Sequence, residues 1–78
     1  MKITRGEYCR FSLQGRVQLL CCSGRYVCSA TIENKYLIVY KLSDFYVEVL
    51  TDLHNHTIVH ARPVLSLQLT AFYKKISF

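Results

Sequence analysis

The amino-acid sequence predicts an α+β fold: an N-terminal helix packed on a four-stranded antiparallel meander, with a C-terminal helical segment. Three observations carry this expectation. Apolar residues recur at helical spacing over residues 12–23, and the pattern then changes to short runs rich in β-branched and aromatic residues. Turn-forming residues separate those runs. The chain has 78 residues, too few for two ordinary domains, and a domain this small buries only about 60% of the surface its unfolded chain exposes.

Residues 1–11 are expected to form a partly ordered arm ahead of a single domain over 12–78. Ser12 can cap a helix, Leu13, Val17, Leu20 and Cys21 then share one face, and Gly24 ends the element. Gly15 in the first turn costs about 1 kcal/mol relative to Ala, so this helix depends on docking to the sheet. A first strand is expected over 25–33, stopped by the turn-like Asn34-Lys35. Residues 36–42 give the strongest strand signal and are apolar on both faces, and Ser43-Asp44 suits a tight turn. In the third strand, 45–50, Phe45, Val47 and Val49 alternate with Tyr46, Glu48 and Leu50; the first group is expected to face the core. Residues 52–56 read as a polar loop, and 57–61 as a shorter fourth strand ended by Pro63. Over the tail, Leu65, Leu67 and Leu69 alternate like a strand, whereas Leu65, Leu69, Phe72 and Ile76 fit a helix. A helix over about 64–74 is favoured because Lys74-Lys75 then complement its C-terminal dipole.

Composition excludes several classes. Hydrophobic residues make up 51% of the chain and charged residues 19%, which argues against disorder. No apolar run approaches the roughly 20 residues of a membrane-spanning helix, so no membrane partner is expected. The N-terminus lacks the apolar run of a secretory signal, which makes a cytoplasmic location the expectation. Cys9, Cys21, Cys22 and Cys28 are accordingly expected as free thiols, with Cys21 and Cys28 acting as small buried hydrophobes. The two adjacent cysteines give no pair at the spacing of a structural zinc site.

Catalysis finds no support in the motifs. There is no glycine-rich phosphate loop and no nucleophile elbow, and the acidic residues are scattered over separate elements. Nothing selects a histidine base for any cysteine. His54, His56 and His60 are the most suggestive cluster, but His54 and His56 fall in a loop and His60 in a strand. No catalytic, cofactor-binding or metal-ligating set is therefore assigned, and no cofactor is expected.

Two binding surfaces are expected instead. Tyr36, Tyr40, Tyr46 and Leu50 fall on a sheet with more apolar surface than one helix covers, which points to a protein partner or to a homodimer. The tail residues Leu65 to Phe72 are the competing cover. The formal charge of +5 supports a different reading, a small RNA-binding or ribonuclease-toxin-like domain, in which Arg16, Arg25, Lys35, Lys41 and Arg62 would cluster on one sheet face.

Phe11-Ser12-Leu13, Gly24-Arg25-Tyr26-Val27, Tyr40-Lys41-Leu42, Phe45-Tyr46-Val47-Glu48-Val49, Ile58-Val59 and Leu69-Thr70-Ala71-Phe72-Tyr73-Lys74-Lys75-Ile76 together resemble a group of short, uncharacterised single-domain proteins common in Bacteroidetes. The likeness spans residues 11–76. It implies a helix, an antiparallel meander and a C-terminal helical segment, and it carries no function or catalytic residue. Such relatives carry an aromatic pair after Val-Glu-Val; here Leu50-Thr51 stands there, which bears on how that strand is covered.

Overall fold

The computed structural model describes residues 2–64. It is an α+β fold with helices α1 (Arg5–Cys9) and α2 (Leu13–Ser23), followed by strands β1 (Arg25–Ile32), β2 (Lys35–Leu42), β3 (Phe45–Asp52) and β4 (Thr57–Val64). The strands form one open antiparallel sheet in the order β1-β2-β3-β4. The meander is thus as expected. The expected helix over 64–74 lies outside the described residues except for Val64, which is the last residue of β4.

The N-terminal segment, expected as a partly ordered arm, forms α1 and contributes Ile3 and Tyr8 to the core. Thr4 and Glu7 make a capping box: the Thr4 hydroxyl accepts from the Glu7 N–H at 3.1 Å and the Glu7 carboxylate from the Thr4 N–H at 2.9 Å. Those bonds satisfy two otherwise free amides at the start of a five-residue helix. They also hold the Glu7 carboxyl below its ordinary range. The short helix is what places Tyr8, which is 0% exposed. Its ring meets that of Phe45 at 5.8 Å between centroids, tilted by 60°.

Helix α2 begins where Ser12 caps it, the hydroxyl accepting from the Gly15 N–H at 3.2 Å. It is rotated from the face expected. Leu20 is buried, Val17 and Leu19 pack against the core, and Leu13 and Cys21 are exposed. The rotation turns Arg16 inward, where its guanidinium donates to the carbonyls of Cys9 (2.8 Å), Phe11 (3.0 Å) and Ala61 (3.3 Å). One side chain so ties the α1–α2 connection to the edge strand β4, a charge-assisted role that a count of apolar positions does not reveal. Gly24 ends α2 in an extended conformation (φ −78°). Glycine is needed there for close approach, since a Cβ would lie 2.7 Å from the Leu20 carbonyl oxygen.

The β1–β2 and β2–β3 connections are two-residue turns, pairing Ile32 with Lys35 and Leu42 with Phe45. In each, the first turn residue takes a positive φ, 56° at Glu33 and 58° at Ser43, as hairpin turns compatible with strand twist require. β4 runs through Pro63 rather than ending before it, because an edge strand has one side with no ladder to break. Directly opposed residues share a sheet face. Leu42, Tyr40, Ile38 and Tyr36 therefore lie on the side of Phe45, Val47, Val49 and Thr51, which is also the side of Ala61. This is the helix face. Ile3, Tyr8, Leu20, Leu42, Phe45, Val47, Val49 and Ala61 form its core, as the alternation in β3 led one to expect.

Replacing Tyr8 with Ala should remove about 3–5 kcal/mol, a large share of the net stability of a small domain. Urea denaturation checks this. Burial also pushes the Tyr8 phenol up to about 12, against the pull of the Arg16 guanidinium. A raised folded value means stabilisation that is complete below the unfolded value of about 10 and lost as pH climbs above it. Tyr8→Phe should therefore keep the fold and flatten the loss of stability between pH 10 and 12.

Candidate interaction face

The second, far face of the sheet carries the alternate residues of every strand. Its rows run across the strands as Arg25, Lys41, Tyr46 and Val64; Cys28, Val39, Glu48 and Arg62; and Ala30, Leu37, Leu50 and His60. Ile32, Lys35, Asp52 and Thr57 close the end. The centre is apolar, made by Leu37, Val39, Leu50 and Ala30. Charged groups surround it.

Cross-strand pairs fix that rim. The Lys35 ammonium sits 3.1 Å from the Asp52 carboxylate. Asp52 also accepts from the backbone N–H groups of His54 (2.9 Å) and Asn55 (3.3 Å), so the same carboxylate shapes the β3–β4 loop. On the next strands Arg62 Nε donates to Glu48 Oε2 at 2.9 Å, and His60 Nε2 lies 2.8 Å from the same oxygen. Lys41 stands over the Tyr46 ring at 5.9 Å, a contact worth about 0.5–1 kcal/mol at an exposed site. Among the described residues Arg25 and Lys41 have no carboxylate partner.

The nominated residues divide between two faces. Tyr46 and Leu50 lie together on the far face, whereas Tyr36 and Tyr40 lie on the helix face, Tyr40 packed against the core there. Burial raises the Tyr40 phenol above its ordinary range. Of the five cations nominated for RNA, Arg25, Lys35, Lys41 and Arg62 share the far face, and Arg16 is spent on backbone carbonyls beneath the helices. His54 and His56 are exposed in the loop, apart from the His60 pair with Glu48, and no metal-holding group of side chains occurs among the described residues. Cys21, expected to be buried, is exposed by the rotation of α2, as are Cys9 and Cys22; Cys28 is half-buried on the far face, and all four are free thiols.

Three far-face residues escaped the reading of the sequence, Leu37, Val39 and Val64. They are buried, with exposures of 7%, 1% and 7%, yet none belongs to the core beneath the helices. The signal available was the doubly apolar pattern of residues 36–42. The Glu48, His60 and Arg62 grouping also went unseen, since it depends on the β3–β4 register. With Arg62 Nε and His60 Nε2 both on one carboxylate oxygen, this grouping suits a fixed ion-pair network.

Comparison with known proteins found no matching family model, curated protein or solved structure. No helix among the described residues is long and apolar enough to cross a membrane.

The lysine ammonium and two backbone amides hold the Asp52 carboxyl below its ordinary range, the Lys35 bond being the largest influence. A lowered folded value means stabilisation present above the unfolded value of about 3.9 and lost as pH falls through the folded one. Asp52→Asn should therefore lower stability at neutral pH and flatten the acid limb below about pH 4, measured by denaturant midpoints across pH.

Proposed function

We propose that the protein is a non-enzymatic interaction module that associates with a second copy of itself through the far face of its sheet. The observation that carries this reading is the arrangement of that face: an apolar centre of Leu37, Val39 and Leu50, with Tyr46 beside it, inside a rim of charges. Such a centre and rim is the anatomy of a protein interface. The rim holds both signs, with Arg25 and Lys41 lacking a carboxylate partner among the described residues and Glu48 and Asp52 at other positions, so a two-fold related copy can oppose unlike charges.

Size sets the strength of the contact. Four strands of eight residues present roughly 500 Å² per copy at ordinary strand spacing and rise. The total of roughly 1,000 Å² sits at the lower bound for a specific interface, so the association is weak and transient.

Nucleic-acid binding is the second reading, favoured by the four cations on the same face. Lys35 and Arg62 are already paired, which leaves Arg25 and Lys41 for phosphate among the described cations of that face. Two phosphate contacts give a salt dependence of only about −1.4 on a single strand, far below that of dedicated binders. This is why self-association ranks first.

Light scattering from micromolar to millimolar concentration, at low and high salt, tests the leading reading. A mass that rises toward the dimer, resists salt and stays monomeric in Leu50→Lys supports it. A monomer throughout removes it. For the second reading, titration of labelled single-stranded RNA should show binding that weakens with salt, with a slope reduced by about 0.7 in Lys41→Ala. Undetectable or salt-insensitive binding discards it.

A further inference from the structure

The apolar stripe of α2 is buried unevenly along its length. Leu20 is 3% exposed, Val17 is half-buried against the core, and Leu13, one turn nearer the N-terminus, is 39% exposed. These residues share one side of the helix. A helix lying flat on its sheet would cover all three alike, so α2 rises from the sheet toward its start. β4 shows the other half of the same gap. Ile58 pairs with Thr51, which puts it on the helix face, yet it is 38% exposed.

Between the two elements is an open wedge of about 630 Å³, within the range of about 300–1,000 Å³ of small-molecule sites. Leu13, Val17 and Ile58 give it apolar surface. Gln14 and Gln18 from α2, with His56 and Thr57 at the start of β4, give it polar groups.

Two properties select a class of ligand. Among the described residues, no Arg, Lys, Asp or Glu lines the wedge, so a charged ligand would lose hydration there with no ion pair in return. The side chains of Gln14, Gln18, His56 and Thr57 also make no hydrogen bond to another described residue. Gln14 and Gln18 are neighbours on the helix surface, about 6 Å apart between Cβ atoms. Each carboxamide offers a donor beside an acceptor. That pair complements a ring nitrogen next to an exocyclic amine, the edge that glutamine reads on adenine.

We infer that the wedge between α2 and β4 is a binding site for a neutral aminopurine of the adenine type, as free base or nucleoside. The ring lies against Leu13, Val17 and Ile58, and its amine edge meets Gln14 or Gln18. The site is on the opposite side of the sheet from the far face, so it stands whether or not that face self-associates. A nucleoside in an open wedge binds weakly, with a Kd of about 0.1–1 mM.

Titration of the isotope-labelled full chain with adenosine, followed through backbone amide chemical shifts, tests the inference. Saturable shifts centred on residues 13–18 and 56–58 are expected. Inosine, which carries an oxygen in place of the amine, should bind at least about fivefold more weakly, the lower end of what one bidentate base contact discriminates. The same loss is expected for adenosine when Gln14→Ala and Gln18→Ala are combined. Both glutamines are exposed and alanine is the best helix former, so that variant should keep its fold. Adenosine monophosphate should bind no tighter than adenosine.

Shifts that are absent or do not saturate overturn the inference, and so do shifts centred on Arg25 and Lys41. Tighter binding of the monophosphate overturns it as well and assigns recognition to cations. Equal binding of adenosine and inosine reduces the contact to apolar adsorption, which also overturns it, as does undiminished binding by the double variant. Should the double variant fail to fold, the comparison of adenosine with inosine on the native chain decides alone.

Discussion

The structure depends on one imbalance, that its sheet is apolar on both faces and its helices cover only one. β2 shows this most directly, since Leu42 is buried beneath the helices while Leu37 and Val39 are buried on the opposite side. Burying a Leu or Val side chain stabilises by about 1.5–3 kcal/mol. For Leu37, Val39 and Val64 together that is about 5–9 kcal/mol, an upper bound, and comparable with the whole net stability of a small domain. The far face is thus no decorative surplus. The burial of those side chains is therefore a question of folding as much as of function.

The helix side achieves its packing with little material. Two short helices reach the sheet, and the close fit is made by Tyr8, whose ring lies against Phe45 and beneath the Arg16 guanidinium, 5.6 Å from the ring centre. Arg16 in turn joins the connection between the helices to β4 through backbone carbonyls. A cation counted from sequence as part of a phosphate-binding surface is instead committed to holding helices on strand. Surface charge and structural charge are the same letter in a sequence, and only the carbonyls around the guanidinium distinguish them.

Strand order, turn positions and the core-facing set in β3 were legible, because alternation and the Ser43-Asp44 turn are local signals. Helix α1 was not, since five residues show no periodicity; the Thr4-Arg5-Gly6-Glu7 capping box was the signal to use. Grouping Tyr36 and Tyr40 with Tyr46 and Leu50 failed on parity. A two-residue turn at Ser43-Asp44 pairs Leu42 with Phe45, so even positions of β2 share a face with odd positions of β3. That was derivable from turn length alone. The Glu48 pairs with His60 and Arg62 were not, because a bulge shifts the β3–β4 register at Val59.

The same bulges bear on how two copies can meet. An open sheet offers two free edges, and edge pairing is the default hazard of such an architecture. Here β1 carries an irregularity at Val27 and β4 one at Val59, so both edge strands are locally distorted. Pro63 adds a position on β4 that has no N–H to donate. Each device impairs a continuous ladder with a neighbouring chain. With both edge strands interrupted, face-to-face contact of sheets is the geometry that the proposed self-association requires.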